Sequence, residues 1–163
     1  MKMQLMKMQA DDPLKRLKNR ALYYLAKREY GFVELVNKIK PFATDELDLN
    51  LDSCYQIVEE LKQKGLQSDY RFCESYVNSK KRKFGLQKIS YELKQKDIDD
   101  FLIKEFIEAL RDEEYESAKM VWEKKYSSLP SDLNEKNKQI KFMQNRGFSF
   151  DTIKKLLNEI INQ

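Results

Sequence analysis

Histidine is absent from the 163 residues. Its absence removes the commonest general acid/base and the commonest metal ligand. Ser–His and Cys–His nucleophile pairs are excluded with it. The two cysteines, Cys54 and Cys73, make no disulfide framework. Both sit among apolar neighbours at helical spacing and read as buried, reduced thiols, as expected of a cytoplasmic protein. Four glycines and three prolines are too few for the many tight turns of a sandwich or barrel. No run approaches the roughly 18 apolar residues of a membrane span. The opening MKMQLMKMQ lacks the apolar stretch of a signal peptide and reads as part of a flexible tail over residues 1–13.

What is abundant is charge. About 36% of the chain is Asp, Glu, Lys or Arg and 41% is hydrophobic. Helices with one wet face tolerate that charge, whereas a thick α/β core would not. The net charge of +4 and the pI near 8.8 fall just short of the strongly basic balance of a typical nucleic-acid-binding domain.

Apolar residues recur at helical spacing along the whole chain. Nine helices are predicted. The first follows Pro13 and ends near Arg28; the second, with Phe32, Leu35, Val36 and Ile39, stops at Pro41. A polar, acidic loop follows over 42–51. The third carries Cys54, Ile57, Val58 and Leu61 and closes at Gly65. Asp69 reads as the N-cap of the fourth, which carries Phe72, Cys73, Tyr76 and Val77. The fifth follows Gly85, the sixth carries Leu102 to Leu110, the seventh Tyr115 to Tyr126. The eighth runs from about Asp132 to Arg146, and the ninth carries Ile153, Leu156, Leu157 and Ile160.

Three segments align without gaps, beginning at Arg28, Arg82 and Arg146. They share the pattern Arg, x, aromatic, small, apolar, x, x, Leu/Ile, x, x, x, Ile/Leu. Gly31, Gly85 and Ser149 fall at N-cap positions. Tyr30, Phe84 and Phe148 fall one residue earlier, and Leu35, Ile89 and Ile153 four residues after the cap. This is a hydrophobic staple used three times, which fixes the angle between successive helices. Such units cannot bury their apolar faces alone and must stack. The expected fold is therefore all-α: three tandem three-helix repeats in an elongated, curved array, over 14–66, 67–111 and 112–163.

At these corners the sequence resembles the RecX family of bacterial regulators of the RecA recombinase. The resemblance is carried by Ala21-Leu-Tyr-Tyr-Leu-Ala-Lys-Arg-Glu-Tyr30 with Glu34-Leu35, and by Ile57-Val-Glu-Glu-Leu61 to Gly65-Leu66. It continues through Asp69-Tyr-Arg-Phe-Cys73, Gly85-Leu-Gln-Lys-Ile89 and Phe142-Met-Gln-Asn-Arg-Gly-Phe-Ser149. It spans about residues 14–160. The loop 40–51 is longer than is usual in the family, Gly31 stands where Ser is commoner, Cys73 where Ala is, and Asp97 replaces a common Gly. The resemblance implies a protein without catalytic residues that lodges in the groove of the RecA filament on DNA. There it would interfere with ATP turnover, strand exchange and co-protease activity. A monomer, as befits a groove binder, and no cofactor are expected. A stand-alone helical nucleic-acid-binding module and a protein adaptor are the alternatives.

Charge is segregated along the chain. Between Asn78 and Lys96 lie Lys80, Lys81, Arg82, Lys83, Lys88, Lys94 and Lys96, opposed only by Glu92; between Asp97 and Glu116 nine acids face Lys104 and Arg111. The basic block is a candidate surface for DNA phosphates or an acidic rim of RecA. Four adjacent cations, Lys80 to Lys83, repel one another unless a partner neutralises them. Lys15, Arg16, Lys18, Arg20, Lys27 and Arg28 extend the candidate set from the first helix. Arg28, Arg82 and Arg146 also read as cations complementing helix C-termini. Asp99 and Asp100 read as N-terminal helix charges rather than metal ligands. Tyr23, Tyr24, Tyr70, Tyr76, Tyr115, Tyr126 and Trp122 read as core.

Overall fold

The structure, a computed structural model, describes residues 12–162. The flexible tail expected over 1–13 lies outside them except for its last two residues, which are structured. The Asp12 carboxylate accepts the Leu14 N–H at 3.0 Å, and Pro13 is the first helical residue, where its missing N–H costs nothing. Among the described residues there are nine α-helices and no strand. They are α1 Pro13–Leu25, α2 Phe32–Ile39, α3 Leu51–Gln63, α4 Asp69–Lys80, α5 Leu86–Gln95, α6 Asp100–Ala109, α7 Glu114–Lys125, α8 Leu133–Asn145 and α9 Phe150–Ile161. Each lies where the periodicity predicts one. Among the described residues no helix is long and apolar enough to cross a membrane.

The chain divides into two compact units, one ending at Phe72 and one beginning at Cys73. The first unit packs α1, α2 and α3 around Leu17, Ala21, Leu35, Val36, Ile39, Cys54, Ile57, Val58 and Leu61. These positions recur three or four residues apart, so each helix turns one apolar stripe inward. Both cysteines are buried thiols outside any disulfide, and burial pushes the Cys54 thiol up from its ordinary value. The acidic loop is more structured than its polarity predicts. It holds short 3-10 turns at Lys40–Phe42 and Asp45–Leu47, and Leu49 is buried within the unit's core.

In the second unit Ala118, Val121, Trp122, Met143, Phe148, Ile153, Leu156 and Leu157 form one cluster. The buried Trp122 donates its indole N–H to the Gln139 side-chain oxygen at 2.9 Å, so the ring's one polar group is satisfied.

The repeated corner takes the predicted form at all three caps, and the staple's two residues share a buried cluster at the first and third. Gly31, Gly85 and Ser149 are the N-caps of α2, α5 and α9. Tyr30 shares a buried cluster with Leu35, and Phe148 shares one with Ile153. Three helices, α3, α5 and α8, end alike. After α3, Gly65 N–H bonds the Lys62 carbonyl and Leu66 N–H the Leu61 carbonyl. After α5 the same pair is Asp97 to Lys94 and Ile98 to Leu93. After α8 it is Gly147 to Gln144 and Phe148 to Met143. All three are Schellman caps, which need a left-handed residue just past the helix. Gly65 has φ +71°, Gly147 +90° and Asp97 +55°.

Asp69 is not the N-cap of α4. Ser68 is: its hydroxyl accepts the Arg71 N–H at 3.3 Å. The Asp69 carboxylate instead crosses to the first corner and accepts the Phe32 N–H at 2.7 Å and the Gln67 amide at 2.9 Å. Gly31 has no side chain with which to cap α2, and Asp69 supplies the missing acceptor. The second corner repeats the device. Gly85 caps α5 without a side chain, and Glu114, the first residue of α7, accepts the Leu86 N–H at 3.1 Å and the Thr152 hydroxyl at 2.8 Å. At the third corner Ser149 caps its own helix by accepting the Thr152 N–H at 3.2 Å.

Candidate functional site

Most cations proposed on α1 and just after it have local partners. Lys18 bonds Glu60 on α3 at 2.5 Å. The Arg28 guanidinium holds both Glu34 oxygens at 3.1 and 3.0 Å and lies 3.5 Å from the Tyr30 ring centre. Arg28 therefore braces the first corner rather than complementing the end of α1. Arg20 sits over the Phe42 ring. Lys27 sits over Tyr23; its hydrogen bond and charge hold the Tyr23 hydroxyl below its ordinary pKa and raise its own. Lys15 and Arg16 are exposed. Tyr23 and Tyr70, expected in the core, are half exposed at 54% and 50%.

The basic block of the second unit divides. Lys80 lies 4.0 Å from Glu92, and Lys81 pairs with Glu113 at 3.0 Å. Lys88 is half-buried, its ammonium 4.3 Å from the Phe84 ring centre. The acidic neighbours neutralise half of the Lys80–Lys83 run, which its one-dimensional pattern does not reveal. Arg82 and Lys83 remain exposed.

Those two cations open onto a cleft of about 480 Å³ lined by Arg82, Lys83, Met120, Val121, Lys124, Lys125, Phe142 and Arg146. No acid lines it. Burial separates its parts: Val121 is buried and Phe142 half-buried, whereas Arg82, Lys83, Lys124 and Lys125 are exposed. The walls are therefore apolar at depth and cationic at the mouth. Tyr126 meets the Phe142 ring edge-on at 5.6 Å and 89°, and the Arg146 guanidinium lies 5.3 Å from that ring. Lys124 and Lys125 also occupy the last turn of α7, where the helix dipole favours cations.

The repeat brings these groups together. The second and third corners meet backbone to backbone: Gly85 N–H donates to the Arg146 carbonyl at 2.8 Å, and Gln87 N–H to the Gly147 carbonyl at 3.1 Å. A Cβ on Gly85 would stand 2.3 Å from the Gly147 carbonyl carbon and oxygen; one on Gly147 would stand 2.3 Å from the Lys88 Cβ. Only glycine permits this approach. It sets Arg82 and Lys83, just before Gly85, beside Arg146, just before Gly147.

Sequence reasoning singles out Arg82 and Lys83 but misses Met120, Lys124, Lys125 and Phe142, and it gives Arg146 only a helix-end role. The Lys124-Lys125 pair is the available signal. It is masked because Glu114, Glu116 and Glu123 share α7 and make the helix look balanced.

Comparison with known proteins agrees with this architecture. The second three-helix domain of RecX matches residues 68–106, and the third matches 112–157. The regulatory protein RecX of Chromobacterium violaceum is 38% identical, over 88% of this chain and 90% of its own. That of Neisseria meningitidis serogroup C is 33% identical, over 89% and 91%. The crystal structure of RecX from Lactobacillus salivarius aligns with a TM-score of 0.76 at 26% identity, covering 93% of this chain and 99% of that one. Matches of this identity along nearly the whole length place the chain in the RecX family of regulatory proteins.

Proposed function

We propose that this protein regulates a RecA recombinase by binding the filament that RecA forms on DNA, slowing its ATP turnover and strand exchange. Family membership supports the regulatory role. The observation that carries the binding role is the cleft of Arg82, Lys83, Lys124, Lys125 and Arg146, whose cations have no acid among the lining residues. A concave cationic site raises the local concentration of a polyanion and speeds its capture. In this reading the chain acts as a cytoplasmic monomer without a cofactor. Its modules are those over 14–66, 67–111 and 112–163, the last two overlapping the matched family domains. The paired cations of α1 then contribute little to binding.

The test is ATP hydrolysis by RecA on single-stranded DNA, titrated with the wild-type chain and with R82A/K83A/K124A/K125A. The wild type co-sediments with the filament and lowers the hydrolysis rate. The quadruple variant loses at least tenfold in inhibitory potency, whereas K15A/R16A/R20A stays within threefold. A wild-type chain that neither co-sediments nor slows hydrolysis overturns the proposal.

A further inference from the structure

From the cleft we infer that its occupant is one unstacked nucleotide of a single strand, its base against Phe142 and Arg146 and its flanking phosphates on the exposed lysines and Arg82. This deepens the functional proposal and rests on its reading of the cleft as the binding site.

Charge alone would call only for a cationic surface. Here the cations share a recess with the buried Val121, the half-buried Phe142 and the exposed methionine Met120. A volume of about 480 Å³ lies within the range of roughly 300–1,000 Å³ of small-ligand sites. Aromatic faces and guanidinium planes are the groups on which unpaired bases stack. Tyr126 holds the Phe142 ring edge-on, and Arg146 lies near it, so the platform is formed before anything binds.

A duplex does not fit this recess as well. Its bases are covered by their neighbours, and extruding one costs a few kcal/mol. An acidic peptide would neutralise the cations but leave the apolar wall wet unless it carried an aromatic of its own. The cations come from the turn after α4, the last turn of α7 and the end of α8, so a backbone crossing the mouth meets charge on both sides.

The experiment is fluorescence anisotropy with the full chain and three 15-nucleotide probes: oligothymidylate, the same length of abasic phosphodeoxyribose, and a duplex. Oligothymidylate is expected to bind at least fivefold tighter than the abasic strand, the low end of one base–aromatic stack, and tighter than the duplex. Phe142→Leu keeps most of the packing volume; it should remove the thymidine preference and leave abasic binding unchanged. R82A/K83A should weaken both single strands and reduce the salt slope by about 0.7 for each phosphate no longer neutralised. Ultraviolet cross-linking of a bromouracil strand to the wild-type chain gives a reading that does not depend on the variant's folding. The adduct is expected on peptides containing Met120 or Phe142.

Equal affinity for the abasic strand, tighter binding of the duplex, or adducts confined to α1 overturns the inference. Filament ATPase inhibition is measured alongside. Inhibition without a base preference overturns the nucleotide recess alone; a base preference without inhibition overturns the functional proposal alone.

Discussion

Two stretches of this chain carry similar densities of lysine and arginine and meet opposite fates. On α1 and the turn after it, Lys18 reaches Glu60, Arg28 is clamped by Glu34, and Arg20 and Lys27 lie on aromatic rings. In the second unit, Arg82, Lys83, Lys124 and Lys125 line a cleft with no acid among its described lining residues. Residue type is the same; what differs is the next helix. α3 brings Glu60 to α1, whereas the elements meeting at the cleft bring Lys and Arg to one another. A basic run therefore becomes a candidate interface only where the fold leaves it without counter-charges.

The glycines sharpen this contrast and give the largest expected effect. Gly65 and Gly147 occupy the same position of the same helix cap, at φ +71° and +90°. Nothing lies within 4 Å of a Cβ on Gly65, whereas one on Gly147 would overlap the Lys88 backbone nitrogen at 2.6 Å. Gly147→Ala should cost about 3 kcal/mol or more, combining left-handed strain with a clash that backbone cannot relieve. Gly65→Ala should cost only about 1 kcal/mol. Urea denaturation of the two variants checks this. Equal losses would mean that the meeting of the second and third corners is not tight. Gly85→Ala, at an ordinary φ of −76°, isolates the steric part.

The borrowed caps come next. Asp69→Ala leaves the Phe32 N–H and the Gln67 amide without their carboxylate, and Glu114→Ala does the same to Leu86 and the Thr152 hydroxyl. Each should destabilise its corner by about 2 kcal/mol, the range of a lost cap with a partly buried donor left unpaired. Adding Gly31→Ser to Asp69→Ala should recover part of that loss, because serine caps its own helix as Ser149 does. Thermal unfolding of the three variants decides; no recovery would mean that Asp69 does more than replace a missing side chain.

Much of this is legible in the sequence, and the illegible part has one cause. Local rules identify the caps Gly31, Gly85 and Ser149, all nine helices and the two buried cysteines, because each depends on residues within about four positions. What they misread lies at longer range. Asp69 reads as the cap of its own helix because nothing in the spacing reveals an acceptor 37 residues from its donor. Lys80 and Lys81 look unneutralised because Glu92 and Glu113 reach them only after folding. Phe142 and Met120 look like ordinary stripe residues, since a recess is a property of three elements at once. Periodicity puts Tyr23 and Tyr70 inside, yet a tyrosine at the edge of an apolar stripe can keep its ring half in water.

Asp97 predicts a smaller change of opposite sign. It holds the left-handed position after α5, φ +55°, that Gly65 and Gly147 hold after α3 and α8. Asp97→Gly should stabilise the second unit by about 0.5–1 kcal/mol by removing the side chain's strain, offset in part by the freer unfolded chain. A raised denaturation midpoint with an unchanged slope is the expected result. An unchanged or lowered midpoint would show that aspartate adopts this conformation without penalty.

The smallest effect tests the pairing of α1 with α3 itself. Hydrogen bonds from Lys18 and Lys64 hold the Glu60 carboxyl down from its ordinary 4.5 to about 2. A carboxyl depressed on folding contributes stability that is fully present above its unfolded pKa and is lost as pH falls through the folded one. Wild type should therefore exceed Glu60→Gln in stability at neutral pH, with the gap closing between pH 4.5 and about 2. Because the pair is exposed, added salt should narrow the gap as well. Lys83→Ala should show neither response, since no carboxylate neutralises Lys83 among the described residues. If Lys83→Ala lost stability with the same pH profile as Glu60→Gln, the cleft would be held together by its own ion pairs, and the contrast between the two basic regions would disappear.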